Sequence, residues 1–224
     1  MDNTVSGIAQ ALSRDVGALD LISQNVANLQ TPGYLAQHPS RDFAASLRQA
    51  SVLDLASGAV KHTGRPLDLA VQGNAFFAID VDGQTMLTRN GEFHVDAQSR
   101  LVNAAGYPVL GDAGPITLSG SDVRVLADGQ IEEGGRTVDR LRILAVGDPR
   151  KLVVAGNGLY AYAGAAIAWN GAIQVGALEQ ANVDPGSEMV RLIEVTRHVQ
   201  SLQHAMHAYD EALQVGINHL GDNN

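Results

Sequence analysis

Apolar residues recur every three or four positions near both ends of this 224-residue chain. The first such segment runs from about residue 4 to 29, and the second from about residue 185 to 220. This spacing predicts two amphipathic helices, because residues three or four apart lie on one helix face. The apolar positions are Val5, Ile8, Leu12, Val16, Leu19, Ile22, Val26 and Leu29 in the first segment, and Met189, Leu192, Val199, Leu202, Met206, Tyr209, Leu213, Ile217 and Leu220 in the second.

A helix with one apolar stripe must bury that stripe against another surface. Two striped helices at opposite ends of one chain can pair along a seam with a period of about 3.5 residues. We therefore expect the two ends to form a coiled-coil stem. The first helix should end near Gln30, because Pro32 cannot continue the helical hydrogen bonds. The second should begin after Asp184, a good N-cap, with Pro185 in its first turn.

Between the two segments the hydrophobic pattern changes to short alternating runs, which begin at Leu67. Asp82-Gly83 and Asn90-Gly91 are typical of tight hairpin turns. Short strands with frequent glycine-based turns indicate an antiparallel sheet or barrel. The expected fold is α+β, with N- and C-terminal helices forming a coiled-coil stem around a central antiparallel β-rich domain. The expected divisions are a first helix (1–34), a connector (35–66), the β-rich domain (67–178) and a last helix (179–224).

Three glycines in this middle region, Gly73, Gly91 and Gly111, follow or precede predicted strands. We expect them to have backbone angles that a side chain would strain, since glycine alone adopts a positive φ without cost.

Composition narrows the possible functions. The chain is 45% hydrophobic and 17% charged, carries a net charge of −9 and has no cysteine. The negative charge argues against a nucleic-acid partner, and the lack of cysteine excludes disulfides, thiolate nucleophiles and Cys-ligated zinc. No apolar run is long enough for a membrane span, so we expect no direct membrane insertion. The N-terminus lacks the pattern of a cleaved signal peptide, so we expect a cytosolic protein or export without cleavage.

Candidate chemical sites are weak. His204 and His207 lie three residues apart on the last predicted helix, but no further ligand stands at a suitable spacing for a metal. Asp80 and Asp82 resemble the start of a calcium loop without its later acidic ligands, and a hairpin turn explains them better. We predict no catalytic, cofactor-binding or metal-binding residue.

Asn25 and Asn28 lie three apart near the end of the first helix, just before Thr31. Periodicity leaves two interpretations open. In the first, they face solvent or pair with backbone groups at the helix end. In the second, they form contacts between subunits.

Three stretches together resemble the bacterial flagellar basal-body rod protein family, which includes the hook proteins. Their order and spacing agree with the family over nearly the whole chain. They are Asn25–Tyr34 (NVANLQTPGY), Leu67–Phe77 (LDLAVQGNAFF) with Thr88–Phe93 (TRNGEF), and Leu178–Asp184 (LEQANVD) with Glu188–Ile193 (EMVRLI). Within the family, the modest length and the stretch at 109–116 are most similar to the proximal-rod branch, with the distal-rod branch as the alternative.

The resemblance implies a non-enzymatic structural subunit of the periplasmic rod that transmits torque and binds copies of itself and other rod subunits. It also implies export through the flagellar type III apparatus, with no cofactor. The chain departs from the family pattern at Tyr34 and Leu35 and at residues 196–199, which affects the transfer of individual contacts along the last helix. The alternative function is a binding module, in which the β-rich domain recognises a partner and is carried on the helical stem.

The resemblance favours an assembly role for the terminal helices. Asn25 and Asn28 are then expected to be exposed in the free subunit and buried in the assembly, where paired amides set the register between helices. The full predicted assembly interface is Leu12, Val16, Leu19, Asn25, Asn28, Thr31, Met189, Leu192, Leu202 and Met206.

Overall fold

The computed structural model describes residues 2–40, 51–120 and 122–221, which form two compact units. The terminal unit comprises the described residues of Met1–Val26, Gln37–Val52 and Asp184–Asn224. The β unit comprises the described residues of Ala27–Ala36 and Leu53–Val183.

Two helices occupy the predicted terminal segments. Helix α1 spans Asp2–Ala27 and helix α2 spans Pro185–Gly221. After α1 the chain makes a turn in which Thr31 N donates to Asn28 O at 3.0 Å, just before Pro32. Asp184 caps α2 as predicted, since its carboxylate accepts from the backbone N–H of Ser187 at 3.1 Å. Hydrogen bonds from the Ser187 side chain and backbone lower the pKa of Asp184.

Seventeen short strands are found in the described part of the chain, together with a 3₁₀ turn at Pro149–Lys151. The strands are β1 Gln37–Pro39, β2 Ser51–Leu53, β3 Val60–His62, β4 Leu69–Val71, β5 Ala75–Val81, β6 Gln84–Thr88, β7 Phe93–Val95, β8 Leu101–Asn103, β9 Val123–Val125, β10 Gln130–Glu133, β11 Arg136–Arg140, β12 Ile143–Val146, β13 Leu152–Gly156, β14 Leu159–Tyr162, β15 Ala166–Ala168, β16 Ile173–Val175 and β17 Ala177–Glu179.

A six-stranded antiparallel sheet forms the centre of the β unit, with the strand order β13-β14-β6-β5-β12-β15. A three-stranded sheet has the order β11-β10-β9. Two-stranded sheets pair β16 with β4, β17 with β3, β7 with β8, and β1 with β2. The antiparallel β region predicted from the glycine turns is therefore present.

The hairpin between β5 and β6 turns at Asp82-Gly83, as the sequence predicts. Both turn residues have positive φ, 53° for Asp82 and 82° for Gly83, which matches the twist of the flanking strands. Gly73 also has a positive φ of 80°. Gly91 does not have a positive φ. It is needed for space, because a side chain there would collide with the carbonyl oxygen of Leu69.

Strand β5 is buried on both faces of the central sheet. Phe77 and Phe93 pack edge to face with ring centroids 5.1 Å apart in one hydrophobic cluster. Phe76 packs against Tyr160 in a second cluster, with ring centroids 5.6 Å apart. Neighbouring strand residues point to opposite faces, so this one strand contributes side chains to both cores.

The predicted coiled-coil stem is wrong, although the terminal helices and the antiparallel β region are present. A coiled coil keeps its apolar seam away from water along its length, whereas Val16 is 49% and Met189 is 61% exposed. Helix α2 has 37 residues and α1 has 26, so the shorter helix cannot cover the longer one. A polar contact joins the two helices, with His198 Nδ1 lying 2.7 Å from Asp15 Oδ2. Hydrophobic periodicity identifies the apolar face of a helix, but it does not identify the surface that covers it.

Candidate assembly site

Three motifs that are far apart in sequence meet in the β unit. The backbone N–H of Gly33 donates to Glu179 O at 2.8 Å, and Asn182 N donates to Tyr34 O at 3.3 Å. Gly33 has a φ of 66°, and a side chain on it would collide with the backbone of Arg89 and Asn90. Glycine is therefore required here both for its backbone angle and for its lack of a side chain.

A buried ion pair lies at this junction. Arg89 Nε and Nη2 donate to the same oxygen of Glu179, Oε2, at 3.0 and 2.7 Å. The Arg89 and Glu179 side chains are 0% and 3% exposed. The other carboxylate oxygen of Glu179 accepts from Gly58 N at 2.9 Å, and the Arg89 guanidinium lies 5.6 Å from the centre of the Phe76 ring. Both charges are thus compensated by fixed partners, as burial of a charge requires.

Asn182 joins two further segments to the same region. Its side-chain oxygen accepts from Ala36 N at 2.6 Å, and its amide nitrogen donates to Asp54 O at 2.9 Å and Ala56 O at 2.8 Å. Gly58 approaches the carbonyl of Gln180 so closely that any side chain would collide with it. The segment after β17 therefore holds two stretches of the predicted connector, one at Ala36 and one at residues 54–58.

Tyr160 fixes the chain next to this junction. Its hydroxyl accepts a hydrogen bond from Leu35 N at 3.3 Å. Burial raises the pKa of Tyr160 to about 12, because an apolar environment disfavours the phenolate. The hydroxyl therefore remains protonated at any physiological pH.

Asn25 differs from the sequence expectation. Within the terminal unit its amide nitrogen donates to Gln37 O at 2.9 Å, and its amide oxygen accepts from Gln37 N at 2.9 Å. Asn25 is 0% exposed in the single chain, so the expectation that it is exposed in the free subunit is wrong. A side-chain amide can pair with a strand backbone in this way because it offers one donor group and one acceptor. Asn28 and Thr31, by contrast, are half-buried and bond to each other at 3.1 Å.

A second polar cluster ties α2 to β1 within the terminal unit. Arg191 Nη1 lies 2.8 Å from Glu188 Oε1 and 2.7 Å from His38 Nδ1. Glu188 is buried in the first turn of α2, where a carboxylate also interacts favourably with the helix dipole.

The remaining predicted interface residues lie on the surfaces of the helices. The structure leaves their side chains exposed or half-buried and does not bring them into one closed core. Exposed members are Leu12, Val16, Met189, Leu192 and Met206, and half-buried members are Leu19 and Leu202.

Sequence reasoning did not identify Arg89, Glu179, Asn182 or Gln37 as structurally important. Arg89 directly follows β6 and Glu179 is the last residue of the buried strand β17, and a charge at such a position is a signal for a buried pair. Their mutual contact, however, joins residues 90 positions apart. Among the residues that the structure describes, no helix has the length and hydropathy to cross a membrane, and no group of three or more acidic or histidine ligands is found.

Two family models match the chain. Residues 70–133 match the flagellar hook protein FlgE/F/G D1 domain. Residues 174–219 match the flagellar basal body rod FlgEFG protein C-terminal model. The two matched ranges contain Arg89 and Glu179, respectively.

Individual relatives align over almost the whole chain. The flagellar basal-body rod protein FlgF of Mesorhizobium japonicum is 32% identical over 91% of each chain. FlgF of Rhizobium meliloti is 30% identical over 96% of this chain and 98% of its own. The flagellar basal-body rod protein FlgG of Bacillus subtilis is 30% identical over 89% of this chain and 83% of its own.

Proposed function

Because the chain belongs to the family of bacterial flagellar basal-body rod proteins, we propose that it occupies the proximal part of the rod, assembles helically and transmits torque. The resemblance inferred from the three motifs is confirmed, and the protein is a structural subunit of the flagellar basal body and not an enzyme.

The proposed partners are other rod subunits and further copies of this chain. The observation that carries this proposal is the surface of the two terminal helices, where Leu12, Val16, Leu192 and Met206 are exposed in the single chain. Exposed apolar side chains grouped on helix faces are typical of surfaces that bind another protein. In an assembly these faces are covered by neighbouring subunits.

Asn28 and Thr31 stay in the proposed interface, because they lie on a half-buried turn at the end of α1. Asn25 acts indirectly in this proposal. Its two hydrogen bonds to Gln37 hold α1 against β1 and so orient the helix that carries Leu12 and Val16.

The proposed route to the periplasm is the flagellar type III export apparatus, without removal of a signal peptide. The binding-module alternative places recognition in the β unit and requires no contribution from the helices. The two functions therefore differ in what happens when an exposed helix residue is changed.

The test is Leu12→Asp in cells that lack the natural copy of this gene. The charge should prevent burial of this face, so swimming and rod assembly should be lost while the subunit is still made and exported. Gln10→Asp, an exposed polar residue on the same helix, is the matched control and should swim normally. Normal swimming with Leu12→Asp, or equal loss with Gln10→Asp, would contradict the helix interface.

A further inference from the structure

The six-stranded sheet of the β unit has two unprotected outer strands. In the part of the chain that the structure describes, β13 and β15 each have a neighbouring strand on one side only. Val153 on β13 is 59% exposed and Ile167 on β15 is 52% exposed. An outer strand presents unpaired N–H and C=O groups, which another strand can bind.

Both outer strands lie in a long stretch of sequence that has no charged residue. From Leu152 to Leu178 the chain contains no charged residue, although 17% of the whole chain is charged. This uncharged stretch includes both β13 and β15. Soluble proteins commonly place charged side chains on outer strands to prevent pairing between molecules. Neither outer strand of the large sheet has this protection.

The smaller sheet of the same unit provides an internal comparison. Its outer strand β11 carries Arg136, Asp139 and Arg140, and its other outer strand β9 carries Arg124. Val138 on β11 is 43% exposed, so an exposed valine alone does not distinguish the two sheets. The difference lies in charged residues within the strand itself, which β13 and β15 lack, although Lys151 stands directly before β13.

The direction of the outer strands indicates a second copy of this chain as their partner. All neighbouring strands in the six-stranded sheet are antiparallel, and an even number of such strands leaves the two outer strands running in opposite directions. A second copy placed beside the first in the same orientation therefore brings its β13 antiparallel to the β15 of the first. The lengths also match, because β15 has three residues and β13 pairs regularly over Leu152–Val154 before an irregularity at Gly156.

We propose that β15 of one copy pairs with β13 of the next, so that the central sheets of neighbouring subunits join edge to edge. The inference rests on the proposed function as a rod subunit, and adds to it a second contact that lies in the β unit. Such a contact joins two different surfaces and can repeat from copy to copy, as a helical assembly requires.

Cysteine cross-linking tests the contact directly, because the chain has no cysteine of its own. Full-length Val153→Cys and Ile167→Cys proteins are mixed and treated with a short bismaleimide. A cross-linked dimer is expected from the mixture but not from either variant alone, and a ladder of oligomers is expected from the double variant. Val138→Cys mixed with Ile167→Cys is the matched control and should give no dimer.

Charged variants provide the second measurement. The parent protein is expected to form oligomers in sedimentation velocity. Ile167→Lys and Val153→Lys should each abolish these oligomers without changing the melting temperature. Val138→Lys should leave the oligomers intact. Three results would each overturn the edge-to-edge contact. They are cross-linking of Ile167→Cys or Val153→Cys alone, equal cross-linking through position 138, and oligomers that survive both lysine variants. None of these results would affect the proposed rod function, which depends separately on the swimming of Leu12→Asp.

Discussion

Arg89 and Glu179 form an ion pair that is almost completely shielded from water, with Arg89 Nη2 lying 2.7 Å from Glu179 Oε2. The two residues are 90 positions apart, and each stands in one of the motifs shared with the rod family. Their contact fastens the end of β6 to the end of β17. It thereby closes the β unit at the point where the chain enters it from α1 and leaves it toward α2.

Removal of one partner should destabilise the protein strongly. Glu179→Gln leaves the Arg89 charge buried without a carboxylate, which should lower the free energy of unfolding by about 3 kcal/mol. Urea denaturation followed by circular dichroism measures the change. The combined change Arg89→Met and Glu179→Leu should recover much of the loss, because neither charge then remains buried.

The matched control for this pair is Arg150→Ala, which removes a surface ion pair with Asp148. Both groups of that pair are screened by water, so the unfolding curve should hardly change. An equal effect of Glu179→Gln and Arg150→Ala would show that burial does not determine the strength of the first pair.

Gly33→Ala should destabilise the junction of the three motifs. A left-handed backbone alone costs a residue with a side chain about 1–2 kcal/mol. At Gly33 the new methyl group would also collide with the backbone of Arg89, so the total loss should be larger. Gly73→Ala separates the two effects, because Gly73 has a φ of 80° but open space around it. Thermal unfolding should show a clearly lower melting temperature for Gly33→Ala than for Gly73→Ala.

Asn25→Ala should weaken the terminal unit of the isolated protein. The substitution leaves the buried N–H and C=O of Gln37 without the amide that pairs with them, at a cost of about 3 kcal/mol. Asn28→Ala, at a half-buried turn, should cost about 1 kcal/mol or less. Chemical denaturation of both variants checks the difference. If the isolated Asn25→Ala subunit is as stable as the parent, the amide does not hold α1 to β1 as we infer.

Tyr160 should make the protein less stable at high pH. The pKa of Tyr160 is raised to about 12 in the folded chain, above the usual value of about 10 in an unfolded chain. The folded state therefore keeps this proton when the unfolded state has lost it. The resulting stabilisation is fully present below about pH 10 and disappears as the pH rises through about 12.

The unfolding free energy of Tyr160→Phe should accordingly fall less steeply than that of the parent between about pH 10 and 12. Parallel slopes for the parent and Tyr160→Phe would contradict the assignment to this hydroxyl.

Local patterns in the sequence account for the types of element and for many of their ends. The terminal helices follow from apolar residues at helical spacing, and the cap at Asp184 and the hairpin turn at Asp82-Gly83 follow from local chemistry. These features depend on residues within a few positions of each other. The family could be inferred as well, because its three motifs are readable as linear stretches.

Which surfaces and side chains meet, by contrast, depends on the tertiary structure. The stripe on α1 predicts an apolar face, but it contains no information on whether α2, another element or another subunit covers that face. Asn25 has the same appearance in the sequence as Asn28, yet one is fully buried against Gln37 and the other lies on a half-buried turn. Arg89 finds Glu179 across 90 positions of sequence. Such contacts depend on the path of the whole chain, which local periodicity and turn chemistry do not encode.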